Sequence, residues 1–462
     1  MGVSDIVIFV AYVGLLAGGF LTPFVGTLGY VWIDSFYPQY LSDILKGMPV
    51  ASVMGSAALL MYVLLDRKSA PRLGMFMIII GAMAVWMTAT LTWAVRPNSA
   101  WLKWDWASKA VLFAGFLPFV IRSRVQIEAL LQTHMLASAM HLIGVGIKGL
   151  LTGGGYRWRM TALPADLGLV ESSAMSTVAM MFIPLLFFMR KHSILVPWKN
   201  VRNIFYPFYA LLCVTAMIGT GARTGLVCLM VLGVLYWLQT RAKVAGALAM
   251  AVLVVLILLF SPDRWKERMG TIDDFKEESS ALTRIKVWQW AIDFSFDNPM
   301  GGGFRAYETN IIRMPPDAAN PDGWVQYSRA PHSTWFEVLN ELGWPGLFMF
   351  LALIGMTLAT LWRVWKQCRG IEELLWCQDL ARALGMSLLV LMAGSSFIGI
   401  AFQPWYWMMF ATSFILGEYV RRCLAPERKP GVFVRDPSPA NLAGPGRAPP
   451  VGVPGLSARR RV

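Results

Sequence analysis

Uncharged apolar runs about as long as a bilayer core is thick recur almost from end to end of this 462-residue chain, and they leave few folds open. They fall at about 4–21, 49–65, 73–94, 107–121, 125–147, 170–189, 203–220, 224–239, 244–260, 334–362, 383–399 and 402–419. Hydrocarbon offers the backbone no water to bond, so such runs must be helices that close their own hydrogen bonds. The expectation is an all-α polytopic membrane protein of about 12 transmembrane helices with one large loop. Apolar character continues from Phe24 to Trp32, as a re-entrant segment or a second short helix. The composition agrees: 56% hydrophobic, 15% charged and a mean hydropathy of +0.53 lie outside the soluble range. No basic stretch precedes the first apolar run, which therefore reads as a retained span and not a removed signal.

A net charge of +14 would suggest nucleic acid as partner for a soluble domain. Here the cations sit in short loops, at helix ends and in the tail, which suits a phospholipid surface and no nucleic acid. Arg67, Lys68 and Arg72, then Arg122 and Arg124, then Arg190, Lys191, Lys199 and Arg202, then Arg241 and Lys243, then Arg363, Lys366, Arg369 and Arg382 all fall on one side. The positive-inside rule makes that side the cytoplasm, with both termini on it. Residues 261–331 then face the periplasm of a two-membrane bacterium. The chain divides into an N-terminal transmembrane region (1–202), core spans (203–260), the large periplasmic loop (261–333), a C-terminal transmembrane region (334–420) and a basic tail (421–462) expected to be disordered. No internal repeat is visible, so the inverted-repeat plan of many transporters is not indicated. None of the five cysteines falls in the large loop, and their spacing shows neither a disulfide framework nor a metal-ligand set.

Within the loop, residues 280–296 place Ile285, Trp288, Ala291, Ile292 and Phe296 at helical spacing, an amphipathic helix lying on the membrane or capping the bundle. Asn298-Pro299-Met300-Gly301-Gly302-Gly303 reads as a glycine turn leading to Arg305, and 314–322 as irregular loop. The loop ends in Pro331-His332-Ser333. Thr334 and Glu337 have capping-box spacing, so a helix is predicted to start at Thr334 with His332 just ahead of it. A helix N-terminus disfavours imidazolium, which suits this histidine to accept a proton; the plainer reading is a histidine that only decorates a cap.

Gly219-Thr220-Gly221-Ala222-Arg223-Thr224-Gly225 is a tight turn opening on the same face. Arg223 is a candidate ligand-binding cation or a snorkelling arginine, and Arg284, at the start of the loop helix, a second candidate or an ordinary surface charge. Arg305 is a third. Guanidinium groups bind phosphate oxygens through paired hydrogen bonds and stay charged, so these arginines could neutralise a departing lipid-linked diphosphate without a metal. Metal-dependent transfer would want clustered carboxylates, and Asp273-Asp274, with Glu277 and Glu278, reads better as a solvated acidic face. No divalent ion and no cofactor is expected. His134 and His141, seven residues apart on one helix face with Glu128 and Gln132, suit hydrogen bonding between helices. His192 lies among cations and is uninformative.

The turn with Arg223, the span pair, the loop with Arg284 ahead of Trp288, the Asn298-Pro299 glycine turn, His332 and Glu341-Leu342-Gly343 together resemble the O-antigen ligase and polymerase superfamily, over roughly residues 205–360. His332-Ser333 followed by Trp335-Phe336-Glu337-Val338-Leu339, with Gly29-Tyr30-Val31-Trp32 and Pro38-Gln39, resembles more closely the O-glycosylation ligases associated with exosortase A systems. The resemblance implies a GT-C-like glycosyltransferase bundle that moves a glycan from undecaprenyl diphosphate to a hydroxyl on a protein or glycan at the periplasmic face. It implies that arginines at the Arg223 and Arg284 positions hold the diphosphate and that the histidine at the His332 position activates the acceptor. Many lipopolysaccharide ligases have His-Asn where this chain has His332-Ser333, which fits the exosortase-linked branch better. Two alternatives stay open: an O-antigen or exopolysaccharide polymerase of the same superfamily, and a lipid-linked glycan flippase or transporter.

Overall fold

The computed structural model of the chain describes residues 2–66, 71, 74–152, 169, 171–260, 275–316 and 322–425. Arg67, Lys68 and Arg72, the Asp273-Asp274 pair and the tail from residue 426 lie outside the described residues. The chain divides into one unit, Met1–Cys423, and a second, Leu424–Val462. Its helices are α1 (Val3–Leu21), α2 (Pro23–Phe36), α3 (Pro38–Leu41), α4 (Val50–Leu65), α5 (Met75–Ala89), α6 (Pro97–Val120), α7 (Arg124–Thr152), α8 (Ser172–His192), α9 (Lys199–Thr220), α10 (Arg223–Gln239), α11 (Lys243–Phe260), α12 (Phe275–Asp297), α13 (Thr334–Gln367), α14 (Leu375–Ser395) and α15 (Pro404–Leu424). The protein is an all-α polytopic membrane protein. All the apolar runs fall on helices, and α6 and α14 begin well before theirs, because their polar first turns are helical without being apolar. Among the described residues, seven helices are long and apolar enough to cross a membrane, with three shorter apolar ones beside them, where about twelve spans are expected.

Several of the short loops expected to share one face meet at one end of the bundle. Arg122 pairs with Asp66 at 3.2 Å, and Arg422 donates to the Arg122 carbonyl at 2.7 Å. Arg124 donates to the His192 carbonyl at 2.9 Å, while Lys191 and His192 both reach Asp379 at 2.7 Å. The large loop joins the opposite end.

At the amino terminus the structure takes the second short helix of the two courses the sequence leaves open. The Phe24–Trp32 stretch forms α2, antiparallel to both α1 and α4: Gly19 meets Gly26, Gly26 meets Ala58, and Gly29 meets both Leu15 and Met54. Helix α1 is therefore parallel to α4, which ends at Asp66 on the cationic end. The chain begins at the large-loop end, opposite the end where Arg422 of α15 meets Arg122. His134 and His141 explain why α2 stays inside, since they bond Ser35 Oγ at 2.8 Å and the Phe36 carbonyl at 3.0 Å. That is the interhelical role their spacing suggests.

Helix α13 is broken where a span would be expected to run on. Gly343 has φ 66° and ψ −169°, and Pro345 follows. A break frees the carbonyls of the preceding turn, and each has a partner. The Leu339 carbonyl accepts from Ser295 Oγ at 3.3 Å, that of Asn340 from Gly302 N at 2.9 Å, that of Glu341 from Gly303 N at 2.9 Å and that of Leu342 from Trp86 Nε1 at 2.8 Å. Beyond the break, Trp344 N donates to the Pro299 carbonyl at 3.0 Å. The glycine turn of the large loop is thus inserted into the helix as its cap, and Val95 N and Trp93 Nε1 hold it from outside through the Gly302 and Gly301 carbonyls, at 2.8 and 3.1 Å.

The stretch read as irregular begins within a hairpin. Ile311–Met314 (β1) pairs antiparallel with Trp324–Tyr327 (β2), Ile312 and Met314 turning onto Val287 of α12. The sequence signal was weak because each strand has four residues and only one buried face. Asn310 closes the hairpin base, its side chain bonding Arg329 N at 2.9 Å and the Arg329 carbonyl at 2.7 Å, and this returns the chain to Pro331.

Beside the break, Lys103 of α6 is buried between two carboxylates, Glu337 at 2.7 Å and Glu341 at 2.8 Å. Arg305 N donates to Glu341 at 2.9 Å and Ala401 N to Glu337 at 3.0 Å, and the rings of Phe304 and Phe402 cover the ammonium.

Two outcomes follow from these contacts. Gly343→Ala adds a Cβ against the Pro299 carbonyl and Gly301 N at a positive φ, and should destabilise by roughly 2 kcal/mol or more. Gly355→Ala, whose Cβ meets nothing, should be neutral or better, both read by thermal melting in detergent. Lys103→Met leaves two buried carboxylates without their cation and should cost about 3–5 kcal/mol in the same measurement, with Lys103→Met/Glu341→Gln recovering part of it.

Candidate functional site

His332 is held by its neighbours while its own ring stays accessible. Helix α13 starts at Thr334 as expected, yet the capping box does not form. Ser333 occupies the cap position without a side-chain cap bond. Thr334 Oγ1 instead donates to the Ile398 carbonyl at 2.9 Å and accepts from Ile400 N at 3.0 Å. Glu337 is committed to Lys103 and Ala401. Both side chains fit the cap spacing, but the packed loop between α14 and α15 offers them buried partners that a cap would leave unsatisfied. Trp335 Nε1 adds a bond to Ser396 Oγ at 2.9 Å.

On the other side of the histidine, Trp288 Nε1 donates to the Pro331 carbonyl at 2.7 Å. The Trp288 ring stacks on Phe336 with centroids 5.2 Å apart, a pair worth about 1 kcal/mol beyond its buried area. Between these anchors His332 adopts φ 45°, a left-handed conformation that a non-glycine residue holds only when its surroundings impose it. Its side chain is 42% exposed, and Nδ1 lies 3.3 Å from Glu171 Oε1. Ser333 is buried, with no hydrogen-bond partner for its Oγ among the described residues.

The other expected residues are placed as follows. Arg223 is exposed on the first turn of α10, after Gly221 has closed α9 in the left-handed region with φ 61°. The next residue, Thr224, donates to Ser173 Oγ at 3.2 Å, which joins this turn to the start of α8, two residues from Glu171. Arg284 is half-buried on α12, one helical turn before Trp288 and so on the face that holds Pro331. Arg223, Arg284 and His332 therefore gather at one end through Thr224–Ser173, Glu171–His332 and Trp288–Pro331. Arg305 belongs to the buried cluster: its backbone bonds Glu341, and its guanidinium lies 3.7 Å from Glu308. Tyr307, beside that cluster, has its phenol pushed up from its ordinary value by burial and stays a donor.

Two features were missed from the sequence. Glu171 sits at the edge of an apolar run beside two serines, where an acid reads as the end of a span. Lys103 lies among Trp101, Trp104 and Trp106, where a cation reads as part of an interfacial aromatic belt. An acid or a base entering a span, with no partner near in sequence, was the available signal. Among the described residues, no group of three His, Cys, Asp or Glu is placed to hold a metal ion.

Residues 208–351 match a family model described as O-antigen ligase, and residues 3–194 match one described as a family of unknown function, DUF5935. No curated protein matches the chain. Arg223, Arg284, Arg305 and His332 all lie in the first match, whereas Lys103 and Glu171 lie in the second. With the apolar helices, the first match supports a bacterial membrane protein of the O-antigen ligase superfamily, with a ligase- or polymerase-type glycosyl transfer function that implies a lipid-linked glycan donor and a glycan or protein acceptor.

Proposed function

We propose that the protein transfers a glycan from an undecaprenyl-diphosphate donor to an acceptor hydroxyl at the periplasmic face of the inner membrane, without a metal ion. His332 removes the hydroxyl proton as the acceptor oxygen attacks the anomeric carbon. The new glycosidic bond forms as the bond from that carbon to the diphosphate breaks. The leaving diphosphate carries the electron pair away, and one displacement inverts the sugar centre. Arg223 and Arg284 hold the diphosphate and stabilise the charge that builds on it. Arg305 receives less support for that role, since its backbone and guanidinium are drawn toward Glu341 and Glu308.

The observation that carries this reading is the gathering of Arg223, Arg284 and His332 at one end of the bundle, inside the region matching O-antigen ligase. The cations that collect at the other end favour the cytoplasm there and the periplasm at the site. Ser333 after His332, where many lipopolysaccharide ligases carry asparagine, favours the exosortase-associated branch and a protein or surface-polysaccharide acceptor.

With purified protein, undecaprenyl-diphosphate glycan and acceptor, His332→Ala is expected to lower transfer by about a hundredfold or more at unchanged melting temperature. Near-normal transfer would remove the base. Arg223→Lys and Arg284→Lys should both fall well short of wild type, because an ammonium cannot reproduce the paired guanidinium bonds. Transfer should persist in excess EDTA; a loss that Mg²⁺ restores overturns metal independence.

A further inference from the structure

We propose that Glu171 is the positioning residue for His332: its carboxylate accepts the Nδ1 proton, fixes the tautomer that leaves the Nε2 lone pair free for the acceptor hydroxyl, and stabilises the imidazolium formed on transfer. This rests on the reading of His332 as the base. It also gives the region matching a family of unknown function a part in the reaction, since Glu171 lies in residues 3–194 and His332 in 208–351.

Three observations carry it. The carboxylate Oε1 and imidazole Nδ1 are 3.3 Å apart, on segments 161 positions distant in sequence (332 − 171), so no local turn chemistry brings them together. Glu171 occupies the cap position of α8, yet its side chain makes no bond to that helix. A cap acid that leaves its own amides without that bond and turns to a neighbouring ring is engaged there, while the positive end of the helix still complements its charge. Finally, both partners are flanked by anchored neighbours: the start of α8 by the hydroxyl bond between Thr224 and Ser173, and His332 by the Trp288 bond to the Pro331 carbonyl on one side and the Thr334 hydroxyl bond on the other. An imidazole with one nitrogen bound to a carboxylate presents the other in a defined direction, the division of labour that acid–histidine pairs use in nucleophile activation.

The test measures kcat and KM for donor and acceptor, with melting temperatures, for Glu171→Gln, Glu171→Asp and the pairing of Glu171→Gln with His332→Ala. Expected are a fall in kcat of roughly tenfold or more for Glu171→Gln with KM changed less than twofold, partial recovery in Glu171→Asp, and no further loss when Glu171→Gln is added to His332→Ala. Wild-type kcat in Glu171→Gln, a change confined to KM, or additive losses in the double variant would each overturn the positioning role while leaving His332 as the base. Near-normal transfer by His332→Ala would overturn the reading beneath it. Should Glu171→Gln lower the melting temperature, the double-variant comparison still decides, because a merely structural loss adds to that of His332→Ala.

Discussion

The glycine turn seated in the break of α13 is the contact on which the rest of the arrangement depends. A helix that stops inside a candidate span exposes its last carbonyls where little water can reach them, and an unpaired carbonyl there costs several kcal/mol. The four carbonyls from Leu339 to Leu342 are all supplied with donors, two from Gly302 and Gly303, one from Ser295 and one from Trp86. Only glycine serves at this crossing: Gly301 and Gly343 both have positive φ, and the two backbones approach so closely that either Cβ would strike the other strand. The loop and the bundle are therefore joined here, and the course of the turn from Pro299 to Arg305 is fixed by the helix it completes.

That seating sets the position of the candidate site. It places Phe304 and Arg305 over the Lys103–Glu337–Glu341 cluster, and the cluster lies on the first two turns of the helix that His332 precedes. Two carboxylates and one lysine in a buried space are not a cheap way to gain stability, since desolvation consumes much of the attraction. What they provide is registration, because Lys103 comes from α6 and can satisfy both acids in one arrangement only. Upstream, Trp288 and the hairpin base at Asn310 deliver the chain to Pro331, so His332 has rigid backbone on both sides and an open ring.

The amino-terminal helices show how short polar contacts hold a helix that hydropathy alone leaves undecided. Helix α2 has fourteen residues, too few to cross alone, and it is held within the bundle by His134 and His141. Its antiparallel course puts the start of α1 at the large-loop end. The same two histidines that read as plain interhelical hydrogen-bonding groups thus hold the helix against which α1 packs.

Much of the fold is written in the sequence, because the requirement that determines it is local. Each apolar run must close its own backbone hydrogen bonds in lipid, so the positions of the apolar helices follow from counting residues, and the loop helix follows from its helical spacing of apolar side chains. The grouping of cations at one end follows from charge in short loops. The chain's own residues also offer Arg223, Arg284 and His332 as candidates for one chemistry. What only the tertiary structure decided is which polar groups satisfy one another across distance. Thr334 and Glu337 have the spacing of a cap, but partners on a loop more than sixty residues away compete for them and win. Glu171 reaches His332, and Lys103 reaches Glu341, only because packing brings α8 and α6 to the end where the loop is seated. A buried or membrane-facing polar group takes whichever partner the fold places within 3 Å or so, and sequence spacing carries no information about that choice.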